Sequence, residues 1–316
     1  MKLHDTLNWG LFQEIDKICG SSVNTYPFKT KAARINDAMN RYCHLAFQAD
    51  GRWPFDDINQ SSPPIDTLDI VSGTNRYKFG TFTEKILNLI KLEILNSDGQ
   101  GVSLIPESIN DLYDSFQKLY LDTANVGTPS HYCKFGDFIY LRPFPDYSET
   151  DGLLAYFNRP ATRFDFVLAT VTIAAPGVFT SVAHGLVLNN TIVLETDGAL
   201  PTGLTADTQY YVVADGLTAD AFEVSATQGG TAITTTGAQS GNHSFIKTNK
   251  EPGIVSLHHP IIARLASLPF LIENSLPQMG AIAQLIQKDE LAITQFFARR
   301  SKDIKTIMRN LIPMGR

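Results

Sequence analysis

The chain has 316 residues, 43% of them hydrophobic and 18% charged, with a net charge of −6. That length suits about two domains of ordinary size and a sizeable core. The acidic balance points away from nucleic acid or an anionic membrane as a general partner, and no run approaches the roughly 18 apolar residues of a membrane span. The start, MKLHDTLNWGLF, has no continuous apolar stretch, so secretion is not expected. Cys19, Cys43 and Cys133 are an odd, scattered set that reads as reduced, buried thiols of a cytosolic protein.

The first predicted element is a short amphipathic helix carrying Trp9, Leu11, Phe12, Ile15 and Ile18, stopped at Gly20. Thr30 is a candidate N-cap for a second helix. Ile35, Ala38, Met39, Tyr42, Leu45 and Ala46 give that helix an apolar face until Gly51, before an aromatic corner at Trp53 and Phe55. Strands follow at Leu68–Val71, Tyr77–Phe79 and Ile86–Leu95, and Asp98-Gly99 turns the last into Val102–Ile105. Pro106 suits the first turn of a helix that runs through Ile109, Leu112, Tyr113, Phe116, Leu119 and Tyr120. Residues 127–156 then read as an antiparallel meander. Strands at Tyr132–Phe135, Phe138–Leu141 and Leu153–Phe157 are separated by Gly136-Asp137 and by the proline corner Arg142-Pro143-Phe144-Pro145-Asp146.

From Phe164 the composition changes. No Lys or Arg occurs between Arg163 and Lys247, and six acids from Glu195 to Glu223 give residues 166–246 a net charge of −6. Short strands around 171–173, 178–179, 191–194, 210–213, 222–224 and 244–246 alternate with turns, as in a small β-sandwich or barrel. Pro260 opens an apolar helix that Pro269 is expected to kink or shorten, and Pro277 opens a longer one through Ile282, Leu285, Ile286, Ile293, Phe296 and Phe297. The last 20 residues are basic, at net +5. They place Arg299, Arg300, Lys302, Lys305 and Arg309 around Ile304, Ile307, Met308 and Leu311 at helical spacing. Such an arm suits docking onto an acidic protein surface better than gripping DNA.

No catalytic or metal-binding residue is assigned. His258-His259 lacks a carboxylate partner at HExxH spacing. His131 and Cys133 share a strand face but have no third group, and Asp56-Asp57 and Asp66/Asp69 lack the EF-hand pattern. Gly99-Gln100-Gly101 lacks the Gly-Lys-Ser/Thr ending of a P-loop.

The run formed by Gly127, Pro129, Tyr132, Gly136, Asp137, Ile139, Leu141, Pro143, Pro145, Leu154 and Tyr156 resembles the β-core of bacteriophage head-to-tail adaptor proteins. Arg34, Ile35, Asn36 and Ala38 followed by Trp53 and Phe55 resemble the same family's opening helix. The runs PGVFTSVAHGL, TDGALPTGLTADTQYYVV and ADAFEVSATQGG resemble a β-module that recurs in phage structural proteins. The expected fold is α+β: a helical bundle packed with antiparallel β-strands in a body of residues 1–165 and 248–316, an inserted all-β domain at 166–247, and a basic arm at 297–316. The resemblance implies a virion neck protein made in the host cytoplasm. It implies a ring of twelve copies beneath the portal, joined to the portal and to a further tail or neck protein, with DNA passing through the lumen without specific binding. The basic, amphipathic character of the arm makes an acidic groove of the portal or of a neighbouring subunit its expected partner. It implies no enzyme, cofactor or membrane. The insertion departs from the simplest members of the family. Another neck or tail protein, a receptor-binding module and a virion hydrolase are the alternatives.

Overall fold

The computed structural model describes residues 1–5, 8–50, 63–83, 85–109, 116–161 and 163–300. In chain order its elements begin with α1 (Leu11–Cys19), α2 (Phe28–Asp50), β1 (Ile65–Ile70), β2 (Arg76–Lys78), β3 (Asn88–Leu95), β4 (Gly101–Ser103) and β5 (Ile105–Glu107). Next come α3 (Phe116–Tyr120), β6 (His131–Phe135), β7 (Phe138–Arg142) and β8 (Glu149–Asn158). They are followed by β9 (Val167–Val171), β10 (Phe179–Thr180), β11 (Thr191–Thr196), β12 (Gln209–Val212), β13 (Ala221–Phe222), β14 (Val224–Ser225) and β15 (His243–Lys247). Two helices close the set, α4 (His259–Glu273) and α5 (Met279–Arg300). The fold is α+β, with a helical bundle, antiparallel sheets and a barrel-like all-β portion. Among the described residues no helix is long and apolar enough to cross a membrane.

Contacts divide the chain into residues 1–51 with 162–316 and residues 52–161. Composition suggests a different division, with the segment after Phe164 standing alone. Backbone and side-chain hydrogen bonds explain why that segment groups with the helices. Asn36 on α2 accepts from Phe164 N at 2.8 Å and donates to Phe164 O at 3.1 Å. The N–H groups of Leu3 and His4 donate to the carbonyls of Lys250 and Thr248.

In the first unit, α1 buries Leu11, Phe12, Ile15 and Cys19, one stripe at helical spacing, and ends at Gly20 in the left-handed region at φ 63°. Trp9 stands outside this helix and is exposed, its indole N–H donating to Glu14 at 2.7 Å. Thr30 lies within the first turn of α2, which starts two residues earlier at Phe28. On α2, Ile35, Met39, Tyr42 and Ala46 are buried. Helix α4 continues through Pro269 to Glu273, because its packed apolar face outweighs the hydrogen bond that proline cannot make. Ion pairs tie the helices at the rim: Arg34 to Glu273 at 2.9 Å, Arg41 to Glu290 at 2.8 Å and Arg264 to Asp289 at 2.7 Å.

The seven-stranded sheet of this unit runs β13-β10-β9-β15-β11-β12-β14. Its two end strands are separated in sequence by Glu223 alone, so the sheet curls almost shut. Phe179, Ile192, Leu194, Tyr210, Val212, Phe222 and Phe245 fill it. Phe179 and Phe222 stack at 5.0 Å, and Phe245 meets Phe222 edge-on at 5.1 Å.

The second unit holds two four-stranded sheets, β1-β8-β3-β4 and β2-β7-β6-β5. They share one core: Leu92, Ile94, Leu153, Ala155 and Phe157 from the first, Tyr77, Tyr132, Ile139 and Leu141 from the second. Two expectations change here. Strand β8 does not continue a meander with β7. After the proline corner the chain crosses into the other sheet, where β8 sits between β1 and β3. Pro106 does not open a helix. It lies in β5, an edge strand parallel to β6, where a missing N–H costs little. The helix expected from Ile109 is described only over Phe116–Tyr120, and Leu112 and Tyr113 lie outside the described residues.

Candidate functional site

The residues that carry the adaptor resemblance are spent on the framework of the two-sheet unit. Gly127, at φ 148°, donates to Phe144 O at 2.8 Å, and Gly136 turns β6 into β7 at φ 59°. Asp137 fixes that turn, its carbonyl accepting from Phe79 N at 3.0 Å and its carboxylate 3.6 Å from Lys78. Pro129, Tyr132, Ile139, Leu141 and Pro145 are buried, and the Pro145 carbonyl accepts from Gly73 N at 2.7 Å. Pro143, Leu154 and Tyr156 are half-buried, and the Tyr156 hydroxyl donates to Glu93 at 2.6 Å. Ladder alternation explains the split: on β8, Leu153, Ala155 and Phe157 face the core, and Leu154 and Tyr156 face away.

Sequence reasoning treats Arg142 as a strand terminator. In the structure it forms an ion pair with Glu107, Nε donating at 2.8 Å, and the Tyr120 hydroxyl donates to the same carboxylate at 2.5 Å. The Arg142 hydrogen bonds hold the Glu107 carboxyl below the usual range, whereas burial, and then Glu107 itself, pushes the Tyr120 phenol up. This trio joins β5, β7 and α3. Nothing in the spacing of residues 107, 120 and 142 signals it, because the parallel pairing of β5 and β6 creates it.

Of the arm residues, Phe296, Phe297 and Arg299 are described with their surroundings. Phe297 is buried and meets Tyr42 edge-on at 5.9 Å, so it belongs to the helical core and not to an exposed arm. Phe296 is half-buried against the His258 ring at 5.1 Å. Arg299 is exposed beside Ala292, Gln295 and Phe296 in an open depression. The side chain of Arg300, together with Lys302, Ile304, Lys305, Ile307, Met308, Arg309 and Leu311, lies outside the described residues, as do Trp53, Phe55 and the Asp56-Asp57 pair.

The other candidates are absorbed by packing. The ring of His258 is hydrogen-bonded to the Tyr42 hydroxyl at 2.5 Å and that of His259 to Ile254 O at 3.2 Å, and burial lowers both imidazoles. Cys133 packs with Tyr120 and Tyr140, and burial pushes its thiol up. The His131 ring is bonded instead to Ser130 at 2.8 Å. All three cysteines are buried, and none forms a disulfide. Asp69 accepts from Asp151 N at 2.9 Å and Asp66 from Thr67 N at 2.9 Å, so both serve the β1–β8 edge. Gly99 makes the β3–β4 hairpin turn at φ 71°. Among the described residues no group of three or more His, Cys, Asp or Glu side chains is placed to hold a metal ion. No protein-family model matches the chain, and no curated protein matches it.

Proposed function

We propose that the chain is a structural virion protein, a head-to-tail adaptor that assembles as a ring below the portal, passes DNA into the tail and catalyses no reaction. The observation that carries this reading is the placement of the adaptor-like run. All of its positions fall on the turns, core or strand faces of one two-sheet unit, the framework role that the resemblance implies for them. The same unit exposes Leu87, Ile90, Ile105 and Phe135, each at half or more of its surface, apolar side chains that neighbouring subunits would cover. Its partners on this reading are copies of itself, the portal and a further neck or tail protein, and the basic arm makes the portal contact.

Mass photometry and negative-stain microscopy of the purified full chain test it. A closed ring of about twelve copies is the expected particle, since a repeated heterologous contact closes when its rotation divides the circle. A monomer or trimer that stays so when mixed with a portal would overturn the reading and favour a receptor-binding module.

A further inference from the structure

The two-sheet unit carries opposite charge at its two ends. Strand β8 crosses it from Glu149 to Asn158, ten residues, or about 30 Å at roughly 3.3 Å per residue. At the Glu149 end three stretches of chain are bound together. Asp151 N donates to the Asp69 carboxylate, Ser72 N to the Ser148 hydroxyl and Gly73 N to Pro145 O, and the Tyr147 hydroxyl donates to Leu95 O beside the Gly99 hairpin. Residues 69–73, 95–101 and 144–151 thus form one pole. They hold Asp69, Asp98, Asp146, Glu149 and Asp151 and no Lys, Arg or His, a net charge of −5. The four aspartates are exposed, and Val71 beside them is 49% exposed.

At the Asn158 end lies an open groove of about 560 Å³. Asn88 pairs with Asn158, and Leu87 N donates to Asn158 O at 2.9 Å, which fixes the groove at this end of β8. Phe79, Phe82, Ile86 and Leu87 supply apolar walls, and Lys85 and Lys134 stand among them. Both lysines are exposed and have no ion-pair partner among the described residues. Residues 76–91, which form most of the groove, carry Arg76, Lys78, Lys85 and Lys91 against Glu84, a net charge of +3.

A groove with apolar walls and unpaired lysines fits an acidic surface that offers an apolar side chain. The pole has both, in Val71 and its aspartates. Within one chain the two cannot meet, because they lie about 30 Å apart across one packed core. Between copies they can. Contact between two different surfaces is heterologous, so each copy that fills a groove presents its own groove to the next.

We propose that the acidic pole of one copy docks in the groove of the next, with Val71 against the apolar walls and Asp98 and Asp146 facing Lys85 and Lys134. The contact rests on the ring reading, for which it supplies the subunit interface. Mass photometry of four full-length chains tests it: the unaltered protein, Lys85→Glu with Lys134→Glu, Asp98→Lys with Asp146→Lys, and all four changes together. Each double variant should weaken self-association at least about tenfold, a change well resolved in a dilution series. Mixed with each other, the two double variants should form pairs and stop there, since one keeps only its pole and the other only its groove. The fourfold variant should assemble again. Circular dichroism identifies a variant that fails to fold. Zero-length carbodiimide cross-linking of the unaltered chain, mixed with an isotope-labelled copy, then decides by whether Lys85 or Lys134 is joined to Asp98 or Asp146 of the other copy. Rings that persist in both folded double variants would overturn this contact and leave the ring reading standing. Pairs or open filaments lost in both variants would support the contact and overturn the ring. Double variants that stay monomeric when mixed, or an unaltered chain that neither associates nor cross-links, would overturn the contact, and the latter the ring as well.

Discussion

Lys31 shows how little of a side chain's fate local sequence records. In the run Phe28-Lys29-Thr30-Lys31 it reads as one more solvated helix residue, yet it is fully buried, its ammonium 2.6 Å from Asp16 and above the rings of Phe28, Tyr26 and Phe12. Burial lowers its pKa, and the Asp16 hydrogen bond opposes that shift. Removing the partner alone would strand a buried charge, which costs about 3–5 kcal/mol, whereas replacing a buried ion by an apolar side chain of similar shape is often neutral. Asp16→Ala should therefore destabilise the chain by several kcal/mol in urea unfolding and Lys31→Met by much less. Equal losses would show that packing, not charge compensation, governs the site. The Glu107–Arg142–Tyr120 trio is hidden from sequence for the same reason: only the folded sheet brings it together. The buried cysteines are the opposite case, because their scattered, odd-numbered spacing already points to reduced core thiols.

At the scale of elements, periodicity recovers what is local. Helices α1, α2, α4 and α5, the Gly99 hairpin and most strands of the barrel stand close to where spacing and turn residues put them. What is missed depends on partners far along the chain. The proline rule favours a helix at Pro106, but an edge strand accepts proline as readily once β6 is available. The alternation of β8 is legible, but which sheet it joins is not. Phe157 on β8 has no exposed surface and helps bridge the two sheets, so Phe157→Ala should cost about 3–5 kcal/mol. A loss below about 1 kcal/mol in denaturant unfolding would mean that the two sheets do not share this core. In the barrel, burial raises the pKa of Glu195, Asp207 and Glu223, with Asp207 adding to the first and Asp215 to the last. A carboxyl whose folded pKa is raised binds its proton more tightly in the folded state. Its contribution is thus fully present below the ordinary value near pH 4 and is lost as pH rises through the folded value. Burial of His4, His258 and His259 acts the other way, because their contribution is lost as pH falls below about 6.5. Melting Glu223→Gln beside the unaltered chain from acid to neutral pH isolates one carboxyl. The variant should gain relative stability as pH rises, and parallel melting curves would contradict the assignment.

At the scale of the whole molecule, the composition change at Phe164 marks where the barrel segment begins, but it does not reveal how that segment is anchored. Its two ends meet: Val167 of β9 pairs with Phe245 of β15, so the chain enters and leaves the barrel on neighbouring strands about 5 Å apart. The ties to the helices lie just outside, at Asn36 with Phe164 and at Leu3 and His4 with Lys250 and Thr248. Within this unit α1, α2, α4 and α5 bury their own apolar faces, with Leu11, Tyr42, Ile262 and Phe297 in the centre. Replacing residues 167–247 by a few Gly and Ser residues therefore spans a short gap, adds little closure entropy and leaves the helical core its own contacts. It removes the bonds from Thr248 to Thr191 and uncovers His4 and Asn249. The shortened chain should keep the helical circular dichroism of the bundle, melt cooperatively at a lower temperature than the full chain, and lose the pH response that Glu223 confers. An insoluble product, or one without a cooperative helical transition, would show that the barrel is part of the core on which the bundle folds.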